Sequence, residues 1–155
     1  MVKTKRLNIY PLTDEEMELM IENEMDSEMK QAYKEMLDGC KQNPNNRIWH
    51  AVWNIVLNNG THDSVGDLSF KGLNPDGMVD IGYGIRKEYE GQGYMTEAVI
   101  AMVRWANEQE GVTRIEAEAE ANNQASLRVL QKAGFVANGK IGEEGPRFVW
   151  NKFDN

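Results

Sequence analysis

Apolar positions along the chain switch between a period of two and a period near 3.6, and each switch marks an element boundary. Leu7 and Ile9 share one face of a short strand predicted over residues 5–10, which stops before Pro11. Thr13-Asp14-Glu15-Glu16 has the form of a capping box, in which the Thr13 hydroxyl accepts from a free helical N–H and Glu16 reaches back. The helix it opens runs to about Asn23 on a stripe of Met17, Leu19, Met20 and Ile21. A second helix is predicted over residues 27–41, where Met29, Tyr33, Met36, Leu37 and Cys40 recur at three-and-four spacing. Residues 42–47 read as a loop, and residues 48–57, 65–72 and 78–85 as three strands. Asn58-Asn59-Gly60 and Asn74-Pro75-Asp76-Gly77 are tight-turn sequences, so the three strands form an antiparallel meander.

Past residue 85 the pattern changes. A charged, glycine-bearing loop over 86–93 leads to a helix over 94–109 that Gly111 ends. A strand over 113–119, a helix over 123–133 closed by Gly134, and strands over 135–141 and 147–153 complete the chain. The strand–helix–strand unit around 78–119 requires a parallel crossover among antiparallel neighbours. The expected fold is therefore α/β (α+β), a mixed central sheet of about seven strands with about four helices, in one domain over residues 1–155. Glu116, Glu118 and Glu120 alternate with Ile115, Ala117 and Ala119, and read as a solvated face or an amine-binding one.

Composition narrows the partners. The chain is 41% hydrophobic and 27% charged, a globular balance, and its 17 basic against 25 acidic side chains give a net charge of -8. That charge argues against nonspecific nucleic-acid binding and suits a cationic partner. A single cysteine, Cys40, forms no intrachain disulfide and fits a cytoplasmic compartment. No apolar run approaches the ~20 residues of a membrane span, and the opening MVKTKRLNIY has no apolar stretch behind its basic flank, so neither membrane insertion nor a signal peptide is expected. His50 and His62 lack metal-ligand spacing, so no metal site is expected. A homodimer is among the assemblies left open.

The chemistry concentrates in Glu90-Gly91-Gln92-Gly93-Tyr94-Met95-Thr96, lying between a strand and a helix. Two glycines let the backbone turn sharply, and a helix start presents unpaired N–H groups to an anion such as a pyrophosphate. A plain glycine turn gives the same local sequence. A P-loop is excluded because no Gly-Lys-Ser/Thr follows, and a dinucleotide fingerprint would need glycine where Thr96 stands. A second stretch, Asn123-Gln124-Ala125-Ser126 through Gly134-Phe135, follows the next strand. Asn123 and Ser126 lie one helical turn apart, a spacing that also serves a helix cap.

Taken in order, IGYGIRKEYEGQGYMTEA over residues 81–98 and the Asn123–Phe135 stretch resemble the GNAT superfamily of N-acetyltransferases. The nearer likeness is to the branch holding ribosomal-protein N-terminal acetyltransferases, and it covers about residues 78–136. The resemblance implies acetyl-CoA as co-substrate and a small-molecule or peptide amine as acceptor, with a non-catalytic CoA-binding module as the alternative. The phosphate loop would fall on Gly91, Gln92, Gly93, Tyr94 and Met95, with Thr96 beside it. Glu90 and Met95 depart from the family pattern there. Ile85 would run alongside the pantetheine arm, Asn123 would contact that arm, and Ser126 would lie near the sulfur. A tyrosine that many members use to protonate the departing thiolate is here Leu130, which leaves Ser126 or a water for that task, or a thiolate that needs no general acid. Asp80 and Glu120 are the candidate carboxylates for the base, acting directly or through water, and each also reads as a structural or solvated acid. With no histidine in either motif, an α-amine, with a pKa near 8, should be used more readily than a lysine side chain near 10.4.

Overall fold

The structure is a computed structural model and describes residues 1–151; the end of the last predicted strand, residues 152–153, lies outside the described residues. Strands β1 (Val2–Lys3), β2 (Leu7–Pro11), β3 (Val52–Leu57), β4 (Ser64–Leu73), β5 (Met78–Ile85), β6 (Arg114–Glu118), β7 (Val136–Ile141) and β8 (Pro146–Asn151) form one sheet in the order β1-β2-β3-β4-β5-β6-β8-β7. Among the described residues four α-helices accompany it: α1 (Asp14–Asn23), α2 (Ser27–Gln42), α3 (Tyr94–Asn107) and α4 (Gln124–Ala133). The meander β2–β5 is antiparallel and β5–β6 is the parallel pair, as the change of pattern requires.

Two differences from the sequence pattern have local causes. The short strand β1 pairs with β2 as an eighth strand; its two residues are too few to show a period. Residues 44–49 wind into a 3-10 turn, so β3 begins at Val52, not at Ile48. Pro44 at the first position of that turn supplies the helical φ.

The pleat sorts the sheet's side chains between two cores. Leu7, Ile9, Trp53, Ile55, Leu68, Phe70, Val79 and Ile81 pack with Met95, Val99 and Met102 of α3 and Leu130 of α4. Tyr10 and Val52, one residue out of phase, meet Met17 of α1 and Tyr33, Leu37 and Cys40 of α2 on the other face. The Thr13–Glu16 capping box forms as the sequence predicts. The acidic face of β6 is not solvated, contrary to expectation. Arg147 of β8 reaches across to Asp80 (3.1 Å), Glu116 (2.9 Å) and Glu118 (2.9 Å), and Arg114 adds a second contact to Glu116 at 2.8 Å. β8 lies beside β6 and supplies the cation that desolvates these acids, a neighbour the local alternation does not reveal.

Candidate active site

The site grows from a gap in the sheet. β5 and β6 pair from Met78/Arg114 to Ile81/Ala117, then part, while β5 continues to Ile85 on β4 alone. The Arg86 N–H donates to Val65 O at 2.8 Å, so residues 86 and 65 form the bonded type of antiparallel pair. By alternation Ile85, opposite Gly66, turns its N–H and C=O away from β4, toward the side β6 has left. A free strand edge therefore ends at Ile85 with a peptide donor pointing into the gap.

On one side of that gap lies a groove of about 480 Å³. Its floor is the turn into α3. Gly91 and Gly93 have φ of 75° and 81°, a left-handed backbone that glycine adopts without a steric penalty. The first helical hydrogen bond runs from Glu97 N to Gly93 O, which leaves the N–H groups of Tyr94, Met95 and Thr96 without intrahelical partners. Opposite them, Ala125, Arg128, Val129 and Lys132 of α4 share one helical face and line the groove with two cations. Glu90 also lines the groove but is exposed. Met95 buries its side chain in the core, so its departure from a small residue leaves the turn open. Gln92 does not line the groove; its carbonyl accepts from Arg6 at 3.0 Å.

Arg6 is a site residue the motifs did not reveal. It binds Glu97 at 2.7 Å and lies 4.3 Å above the Tyr94 ring. Glu97 also accepts from Thr4 Oγ1 at 2.5 Å and from the Arg6 N–H at 2.9 Å. Burial would raise the Glu97 pKa, but these bonds outweigh it and hold the carboxyl below its usual range. The bend between β1 and β2 thus clamps the start of α3 through contacts 91 and 93 residues apart in sequence.

At the α4 end, Asn123 caps the helix, its Oδ1 accepting from the Ser126 N–H at 3.1 Å. The Ser126 hydroxyl meets the Tyr83 hydroxyl at 3.1 Å. Burial raises the Tyr83 pKa, and the Ser126 contact offsets part of that rise. Leu130 is fully buried, whereas Tyr83 brings a phenol to the same helix from β5.

On the other side of the gap a cavity of about 610 Å³ opens beneath α1 and α2, and Ile85 lines both spaces. Asp67 and Arg86 face this cavity, with Glu16 and Glu24 at α1. Neither expected base reaches it. Asp80 is held by Arg147 and sits five residues from Ile85, roughly 16 Å along an extended strand. Glu120 is exposed in the turn before α4 and lines neither space. Asp67 and its partner Tyr33 carry no local motif; the pleat and the packing of α2 bring them together.

Known proteins share this fold. Residues 6–136 match the family described as Acetyltransferase (GNAT) domain. The chain is 36% identical over 91 residues to "Uncharacterized N-acetyltransferase YjdG" of Bacillus subtilis, a match covering 57% of this chain and 54% of that protein. It therefore spans about half the length of that relative. A GNAT-family acetyltransferase from Bacillus anthracis superposes with a TM-score of 0.72 at 20% identity, covering 98% of each chain. The ribosomal L7/L12 alpha-N-protein acetyltransferase RimL, solved with coenzyme A, gives 0.74 at 14% identity over 96% of this chain and 95% of RimL. At these identities the structural matches speak for the fold.

Proposed function

The chain belongs to the GNAT acetyltransferase family, and from that premise we propose that it moves an acetyl group from acetyl-CoA to a primary amine by direct attack on the thioester. The observation that carries the reading is the meeting of two unlike spaces at Ile85, one built for an anion and one acidic. The residues present fit the co-substrate: around Gly91 a Cβ would meet nothing within 4 Å, so a phosphate can come close to the backbone. In this reading the N–H groups of Tyr94, Met95 and Thr96 bind the pyrophosphate, and Arg128 and Lys132 supply countercharge. The free edge of β5 lies along the pantetheine arm, with Asn123 near it. The Ile85 N–H donates to the oxyanion that forms when the amine adds to the thioester carbon. The C–S bond then breaks, and the Ser126 hydroxyl passes a proton to the thiolate as it takes one from the Tyr83 hydroxyl, which solvent reprotonates.

Calorimetry with CoA, followed by thiol release from acetyl-CoA across a panel of amines, tests the proposal. Binding together with amine-dependent release is expected. Absence of CoA binding overturns it, and binding without release on any amine identifies a CoA-binding module instead.

A further inference from the structure

The acidic cavity holds one carboxylate placed differently from the rest. Asp67 lies on β4 opposite Gly84, the residue before Ile85. Gly84 is exposed and has no side chain to cover the carboxylate; a Cβ there would stand 4.0 Å from Asp67 Oδ1. Tyr33 of α2 donates its hydroxyl to Asp67 Oδ2 at 2.8 Å, while Oδ1 accepts no hydrogen bond among the described residues. The other acids of the cavity are engaged with their own backbone. Glu16 accepts from the Thr13 N–H at 3.0 Å, and Glu24 from the Met25 and Asp26 N–H groups at 3.0 and 3.2 Å. On the β3 side the neighbours are neutral: Ser64 donates to Asn54 at 2.7 Å, and Asn54 to the Tyr10 hydroxyl at 3.2 Å. Leu12, Leu19, Met20 and Val52 give the cavity apolar walls.

We propose that Asp67, held in place by Tyr33, receives the acceptor's ammonium group and takes its proton, and that the cavity selects primary amines with an aliphatic body over amines that carry a carboxylate. This rests on the acetyltransferase reading of the same site. The bound ammonium gives one proton to Asp67, which passes it to water. The freed nitrogen lone pair forms the C–N bond as the thioester C–S bond breaks. The second nitrogen proton balances the one delivered to the departing sulfur, so an ammonium and a thioester become an amide, a thiol and one released proton. Tyr33 is a positioning residue. The charges facing Asp67 are Arg86 after β5, which favours its ionised form, and Glu24 and Glu16 at α1, which draw a cation into the cavity. Burial raises the Asp67 pKa, and the Tyr33 bond and Arg86 offset part of it, bringing the carboxylate closer to the working range of a base. Three acids against one arginine repel a carboxylate-bearing acceptor.

Asp67→Asn and Tyr33→Phe test this with hexylamine and 6-aminohexanoate, which differ by one carboxylate. Calorimetry on the CoA-loaded protein should show hexylamine binding about tenfold tighter than 6-aminohexanoate, and about tenfold weaker in Asp67→Asn. Turnover of hexylamine by Asp67→Asn should fall about a hundredfold and recover in part as pH is raised and the amine loses its own proton. Tyr33→Phe removes a bond that favours the ionised carboxylate, so the acid limb of kcat/KM should move to higher pH; a merely structural loss would leave that limb in place. Hexylamine that fails to bind the wild type, or that binds and reacts within threefold of wild type in a folded Asp67→Asn with unchanged CoA affinity, overturns the proposal. Equal affinity for the two amines overturns the selectivity. A wild type that binds hexylamine through Asp67 but no CoA would overturn the acetyltransferase reading alone.

Discussion

Replacing Gly93 with alanine perturbs the anion cradle at a single torsion. The residue sits at φ 81° and ψ 5°, immediately before α3. An L residue in that left-handed region costs about 1–2 kcal/mol. A Cβ there would stand 3.4 Å from Arg6 Nη2, at the edge of ordinary contact with a partly exposed side chain that can give way, so backbone strain dominates. In the free protein the turn escapes the strain by leaving the cradle geometry, and CoA binding must restore it. The penalty then appears in affinity: at 1.4 kcal/mol per decade, the CoA Kd should rise about five- to thirtyfold. Gly91→Ala carries the same kind of strain, at φ 75° with nothing within 4 Å of the new Cβ, and should behave alike. Gly60→Ala is the control. It too has positive φ, 95°, and open space, but lies in the turn between β3 and β4, so it should lower Tm and leave CoA binding unchanged. Isothermal titration of CoA into the three folded variants decides. A Kd for Gly93→Ala within twofold of wild type, or equal losses in all three, refutes the reasoning.

Contacts elsewhere in the fold set five further outcomes. Tyr83→Phe should lower kcat while the CoA Kd changes little, because only the hydroxyl partner of Ser126 is lost; equal kcat would remove Tyr83 from the proton path. Asp67→Asn should raise Tm by a few degrees at pH 7: burial raises the folded pKa, so the penalty for ionising accrues as pH rises from the unfolded value through the folded one and is complete above it, and scanning calorimetry reads the gain. Arg147→Ala leaves Asp80, Glu116 and Glu118 without their shared cation and should cost about 2 kcal/mol or more in urea unfolding. Burial works against the Glu116 charge, but the arginine bonds outweigh it and lower its pKa; the Glu144 N–H and Arg147 lower that of Glu118. Wild-type stability should therefore fall as pH drops below the usual carboxylate range, with a shallower fall in Arg147→Ala. Cys40 is buried and its thiol pKa is raised by that burial, so Ellman's reagent should react slowly with the native protein and quickly in denaturant.

Elements governed by neighbours close in sequence are legible from the residues alone. The Thr13–Glu16 box needs groups three residues apart, and it forms. Gly91 and Gly93 mark a turn that only glycine takes readily, and both are left-handed. The β5 boundaries, Met78–Ile85, agree because the Asn74–Gly77 turn fixes one end and the charged loop the other. β1 and the 3-10 turn at residues 44–49 escape because runs of two and six residues carry no usable period. The glutamates of β6 look solvated because alternation reports which side chains share a face, not what covers it.

Apart from β1 and the 3-10 turn, the residues alone set the main strands and helices in their order, the parallel crossover, and the pairing of a glycine-rich helix start with a capped second helix. All of these arise from local torsions, caps and periodicity within a dozen or so residues. Tertiary structure alone decided which side chains meet at the gap beside Ile85. Arg6 reaches Glu97 from 91 positions away, Tyr83 reaches Ser126 from 43, and Tyr33 reaches Asp67 from 34. The same packing ties Asp80 to Arg147 from 67 positions away. These pairings depend on strand order, on the phase of the pleat and on the side of the sheet where each helix lands. A one-residue change of phase would turn Asp67 away from Tyr33, and no spacing within a single segment encodes that phase.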